Sequence, residues 1–218
     1  MVMVLTFWAT WYARNKFVHE GTVCSVARVS TFVLAYLREL DSLEALAIPA
    51  KMTKDVKWIP PDGDIVKINF DASFSSALKS SISGILTRNS CGLIMAACYS
   101  HHSGVADAFI AEAFACEKAV SLAIDLGFQS VQIEGDSLSI IKKLQSATLD
   151  KSVISPIIND ICVLMGSFEE ITFSFVNRAG NAAAHELARL GAHQSEPRIW
   201  IVEAPTSVER IVERERPV

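Results

Sequence analysis

The sequence has no excess of positive charge, no paired-cysteine pattern and no apolar run long enough to cross a bilayer, and each lack removes a class of function. Lysine and arginine together number 20 against 24 acidic residues, a formal net charge of −4. The balance gives no sign of a basic surface that would hold a polyanion by counterion release alone, and any such grip is expected to be local, for example through metal ions that bridge acidic side chains to phosphate. The five cysteines, Cys24, Cys91, Cys98, Cys116 and Cys162, are odd in number and include no C-x-x-C pair. That argues against a zinc site or a disulfide framework and gives the expectation of a reducing, intracellular location, nuclear or cytoplasmic. The apolar opening from Met1 to Ala13 falls short of the roughly 18 residues a spanning helix needs. It has no basic leader, carries Thr6, Trp8, Thr10 and Trp11, and runs into Arg14-Asn15-Lys16 without a small-residue cleavage pattern, so neither secretion nor a membrane partner is expected.

What is present divides the chain. Residues 1–47 read as a helical extension: Phe7, Trp11, Ala13, Phe17 and Val18, then Val26, Val29, Phe32, Val33, Tyr36 and Leu37, recur at three- and four-residue intervals. Residues 48–64 contain Pro49, Pro60, Pro61 and Gly63 with scattered charge and read as a linker. From 65 to 192 the pattern is that of one mixed α/β domain. Ile65 to Phe70 alternates and ends on Asp71, as a half-buried strand with a functional tip would. Ile82–Arg88 and Gly92–Tyr99 form a hairpin about Asn89-Ser90-Cys91-Gly92. Ala106–Leu126 is Ala-rich, free of Gly and Pro, and closed by Gly127. A strand over Val131–Glu134, a helix capped by Asp136-Ser137 and running through Leu144, a helix over Pro156–Met165, a strand over Ile171–Val176 and a helix over Asn181–Leu190 complete the domain. The predicted order is β-β-β-α-β-α-α-β-α, a five-stranded mixed sheet flanked by helices. Residues 193–218 read as a tail, with the Glu- and Arg-rich stretch from Glu209 to Pro217 expected to fray.

Acidic residues are usually solvated, so position separates a candidate ligand from an ordinary one. Asp71 follows an apolar strand run, Glu112 lies in an apolar helix between Ala111 and Ala113, and Asp136 follows the strand that ends in Ile133-Glu134-Gly135. In such a sheet the first and fourth strands can end side by side, and a helix packed against them can aim one Glu at both ends. Like charges crowded in this way need a cation. An all-oxygen set with open positions suits magnesium or manganese, and two such ions are the usual clamp for phosphodiester chemistry. The bland alternative is three strand-end and helix-surface acids with no shared role.

At these residues the sequence resembles the ribonuclease H-like family, in particular its reverse-transcriptase-like branch from plant non-LTR retroelements. The resemblance rests on Lys67-Ile-Asn-Phe-Asp-Ala-Ser73, Ala111-Glu-Ala113, Ile133-Glu-Gly-Asp-Ser137, and Phe173 through Asn177-Arg-Ala-Gly-Asn181 to His185-Glu-Leu-Ala188. It implies a ribonuclease H-like fold and Mg2+- or Mn2+-dependent hydrolysis of the RNA strand of RNA–DNA hybrids. Asp71 would bridge the metals, Glu112 and Asp136 would complete the ligand set, and Ser73, Ser137 and Asn181 would contact substrate. Discrimination of RNA from DNA would rest on the 2′-hydroxyl.

The chain departs from the family pattern in three places. The fourth Asp, in the pattern Asn-x-x-Ala-Asp-x-Leu-Ala, is replaced by His185, a poor magnesium ligand that could instead act in acid–base catalysis or simply lie on the helix surface. A His frequent before the last helix is here Phe175, and the basic, aromatic-rich handle of some members is missing from Gln145–Met165, where Lys151 is the only basic residue. These departures keep open a second expectation, a non-catalytic nucleic-acid-binding or scaffold domain from a domesticated element. The segment from Trp11 to His19 resembles the region upstream of this domain in retroelement polyproteins.

Overall fold

A computed structural model describes residues 2–20, 23, 25–30, 33, 58–146 and 152–216. The chain forms two compact units, Met1–Lys54 and Asp55–Val218. In the first, α1 spans Val2–Glu20 and residues 26–30 are helical; Tyr36 and Leu37 of the second expected helix lie outside the described residues. Among the described residues, no helix is long and apolar enough to cross a membrane.

The second unit is built on a mixed sheet. Its elements are β1 (Val66–Ser75), β2 (Ser80–Arg88), β3 (Ile94–Ser103), α2 (Ala108–Asp125), β4 (Ser130–Gly135), α3 (Leu138–Gln145), α4 (Ser155–Met165), β5 (Glu170–Phe175), α5 (Ala182–Gly191), β6 (Arg198–Ile201) and α6 (Thr206–Glu215). The strand order is β5-β4-β1-β2-β3-β6, with β1–β2–β3–β6 antiparallel and β1–β4–β5 parallel. The five expected strands and four helices of the domain appear in the predicted order, and β6 and α6 follow them as a sixth strand and a fifth helix.

Local chemistry accounts for the punctuation. At the β2–β3 turn the Asn89 side chain accepts from the N–H groups of Cys91 and Leu93, and Gly92 takes the left-handed backbone the turn requires, at φ 71°. Asp107 caps α2 by accepting from Ile110 N–H at 2.9 Å. That helix ends at Gly127, φ 74°, where the Gly127 and Phe128 N–H groups bond the carbonyls of Ile124 and Ala123. Ser137 occupies the cap position of α3, and its side chain makes no cap bond.

Strand alternation gives the sheet two different faces. Val66, Ile68 and Phe70 of β1 join Ile85, Cys98, Val131, Ile133 and the inner residues of α2, α3 and α4 in one apolar core. On the other face Leu86 and Ala97 pack with Ala183 and Leu187 of α5 and with Val208 and Val212 of α6. The same face carries Lys67, Asn69 and Asp71, all buried. Lys67 pairs with Glu134 at 2.8 Å, Asn69 donates to the second Glu134 oxygen at 3.3 Å, and Ser174 donates to the first at 3.1 Å. Arg88 is fully buried: it pairs with Glu215, donates to Asn69 Oδ1 at 3.0 Å and stacks 3.9 Å from the Trp58 ring centre.

Three expectations change. Residues 58–64 are not all linker, because Trp58 is 3 % exposed and its indole N–H donates to Asn69 at 3.1 Å. The stretch from Glu209 does not fray: it is helical through Glu215, since the i, i+4 pair Val208 and Val212 is buried and Glu215 is held by Arg88. The first strand does not stop at Asp71 but continues to Ser75, because β2 keeps pairing with it as far as Ser75↔Ser80.

Removal of one partner from a buried ion pair leaves the other charge uncompensated. Glu215→Ala is expected to lower the unfolding free energy by about 3 kcal/mol in urea titrations, near the low end for such a pair because Asn69 and Trp58 still contact Arg88. Unchanged stability would mean that α6 is not anchored through this pair.

Candidate active site

The site forms where parallel pairing stops. β4 leaves β1 at the pair Phe70↔Gly135, so Asp71, the next residue of β1, and Asp136, the next residue after β4, emerge side by side. Gly135 permits this closeness: a Cβ there would lie 2.3 Å from the Phe70 ring. Beyond Phe70 the β4 side of β1 is open, and the N–H of Ala72 donates to Glu112, which α2 brings to the notch. One carboxylate oxygen from each of Asp71, Glu112 and Asp136 lies within 4.8 Å of the others.

The fourth position is reached from the opposite face. Asp71 is in register with Gly84 of β2, and a Cβ on Gly84 would lie 2.3 Å from the Ala188 nitrogen and 2.4 Å from the Ala184 carbonyl. Glycine thus lets the backbone of α5 touch the sheet. From that helix Asn181, 1 % exposed, donates to the Phe70 carbonyl at 2.8 Å, and His185 Nδ1 lies 2.8 Å from Asp71 Oδ2. One guanidinium nitrogen of Arg178, on the loop before α5, lies 3.1 Å from His185 Nε2 and 3.4 Å from Nδ1.

The carboxylates are strained electrostatically. Burial, then the charges of Asp71 and Asp136, push Glu112 up to about 9, against smaller opposing effects of the Ala72 N–H and Arg178. Burial, with the charge of Asp136, raises Asp71 to about 6, against the hydrogen bond and charge of His185 and the charge of Arg178. Glu112 Oε2 is buried with no hydrogen-bond partner. Hard oxygen donors, crowded like charge and an orphaned carboxylate oxygen together fit a divalent cation. Asp71, Glu112 and Asp136 are the residues that would hold it.

Asp71, Glu112 and Asp136 are brought together as their positions in the sequence suggested, and His185, the residue in the family's fourth-Asp place, contacts Asp71. Ser73 lies two residues past Asp71 on β1 and Ser137 directly follows Asp136, both half-buried beside the cluster. Asn181 is buried, and what its amide holds is the β1 backbone. Arg178 received no role from the sequence; it lies within the segment of resemblance, but a loop residue carries no periodicity to mark it.

The fold and this carboxylate cluster define a ribonuclease H-like protein. The chain belongs to the reverse transcriptase-like family, whose model matches residues 69–191. Its fold is similar to that of RNase H1 from the halophilic archaeon Halobacterium salinarum NRC-1, at 24 % identity and TM-score 0.55 over 60 % of this chain and 98 % of that one. It is also similar to the N-terminal RNase H domain of rv2228c from Mycobacterium tuberculosis, at 19 % identity and TM-score 0.53 over 58 % and 92 %. A third is LC11-RNase H1, isolated from compost, in a structure with an RNA/DNA hybrid, at 17 % identity and TM-score 0.52 over 57 % and 94 %. No match was found among curated proteins.

The raised carboxylates fix the sign of a pH effect. A carboxyl group that holds its proton more tightly when folded adds stability that is complete below the ordinary carboxylate pKa and is lost as pH rises through the folded value. Chelator-treated protein should lose thermal stability progressively from about pH 5 to about pH 9, through about 6 for Asp71 and about 9 for Glu112. Glu112→Gln should flatten the upper part of that decline, and added Mg2+ should stabilise the parent most at the alkaline end. Thermal melts across this range check the slope, and a parent whose stability rises with pH would contradict it.

Proposed function

We propose that the chain is a metal-dependent endoribonuclease of the ribonuclease H type that hydrolyses the RNA strand of RNA–DNA hybrids. The observation that carries this reading is the convergence of Asp71, Glu112 and Asp136 within 4.8 Å at the paired ends of β1 and β4, in a fold whose neighbours include a hybrid-bound RNase H1. A divalent ion held there, Mg2+ or Mn2+, would supply Lewis-acid activation of water and charge compensation at phosphate. The residues of the chain do the rest. Asp71 presents a buried carboxylate from the sheet, fixed on one oxygen by His185, while Asn181 ties the adjoining β1 carbonyl to α5 and keeps the strand from shifting. Glu112 is aimed by the Ala72 N–H, and Asp136 is set by the Phe70–Gly135 contact. Ser73 and Ser137 border the cluster, where hydroxyls could contact the sugar–phosphate backbone.

One observation favours a second reading, a hybrid-binding or scaffold domain without turnover: His185 occupies Asp71 Oδ2, an oxygen otherwise open to a metal.

Purified protein incubated with a labelled RNA–DNA hybrid in Mg2+ or Mn2+ is expected to cut the RNA strand. Asp71→Asn should slow cleavage by about a hundredfold or more. His185→Asp should accelerate it about tenfold or more by adding an oxygen donor. A parent that binds hybrid but shows no metal-dependent cleavage would establish the scaffold reading; equal cleavage by Asp71→Asn would trace the activity to a contaminant.

A further inference from the structure

Asp71, His185 and Arg178 form a continuous arm on the side of the carboxylate cluster away from Glu112. His185 Nδ1 is 2.8 Å from Asp71 Oδ2. Against a carboxylate Nδ1 is the donor, and the Arg178 guanidinium nitrogen, 3.1 Å from Nε2 and 3.4 Å from Nδ1, lies against the imidazole ring. The arm therefore ends in a permanent positive charge. Arg178 is exposed, yet its guanidinium lies against the ring that contacts Asp71. A second divalent ion on Asp71 would need Oδ2 together with an oxygen donor from the position His185 fills. Both are taken, the first by a hydrogen bond and the second by an imidazole that hard cations disfavour.

The geometry points to a fixed cation in place of the second metal: the Arg178–His185 arm occupies that half of the site, and Asp71, Glu112 and Asp136 hold a single divalent ion. Arg178 is a positioning residue in this arrangement. It keeps the imidazole turned toward Asp71 and offsets part of the negative charge that a second ion would otherwise neutralise. The inference rests on the carboxylate cluster being a metal site, as the proposed function requires, but not on turnover.

Titration of the purified chain with Mn2+ in the absence of any substrate, followed by calorimetry and by the electron paramagnetic resonance signal of free Mn2+, reads the stoichiometry directly. One Mn2+ per chain is expected for the parent, two for His185→Asp, and one for Arg178→Gln. In the last variant the affinity should rise several-fold, because the like charge beside the ion is gone. Two Mn2+ per parent chain, or none at millimolar Mn2+, would overturn the inference, as would Arg178→Gln binding no more tightly than the parent. The parent stoichiometry decides the matter even if a variant fails to fold. A parent that binds one Mn2+ and cuts no hybrid would sink the nuclease reading while leaving this one standing.

Discussion

The contact between α5 and the sheet over Gly84 governs the whole functional end of the molecule. Because Gly84 is the register partner of Asp71, the absence of one Cβ sets how near α5 comes to the residue at the centre of the cluster. Any side chain at that position would meet backbone atoms of Ala184 and Ala188 at under 3 Å, and backbone cannot swing aside as a flexible side chain could. The helix would lift, and with it both Asn181, which grips the Phe70 carbonyl, and His185, which grips Asp71. Site geometry and helix packing are thus one constraint, expressed on two sides of a single strand.

The sheet also separates two kinds of stabilisation. One face is an ordinary apolar core, in which α2, α3 and α4 cover β1, β4 and their neighbours and the driving force scales with buried apolar area. The other face mixes a small apolar cluster under α5 and α6 with a buried polar network through Lys67, Asn69, Arg88, Glu134 and Glu215. Such a network adds little net stability over apolar packing but penalises incorrect pairing heavily, because a misplaced partner leaves a charge buried alone. Asn69 is its hub: it donates to Glu134 and accepts from both Arg88 and Trp58.

Much of this was legible in the sequence because it depends on local pattern. Alternation in β1 and β5, the Gly-free run of α2 and its Gly127 terminator, and the Asn89 turn each encode an element within one contiguous stretch of chain. The three carboxylates stood out for the same reason, as acids following or interrupting apolar runs. What was not legible depends on distant partners. The continuation of β1 past Asp71 is imposed by β2, not by its own alternation. The burial of Arg88 and the order of α6 require Glu215, far along the chain, and the charged composition of α6 concealed the Val208–Val212 stripe. Arg178 became visible only once α5 had brought His185 to Asp71.

Trp58 and Glu215 reach Arg88 from the two extremities of the domain, one at its entrance and the other at the last turn of its final helix. The domain is in this sense closed on itself: its first and last contacts meet at a single guanidinium, which the family-matched span of residues 69–191 contains without either of its companions. Head and tail so close together make the unit a natural cassette. It is suited to insertion within a host chain or to circular permutation, with new termini opened at an exposed loop.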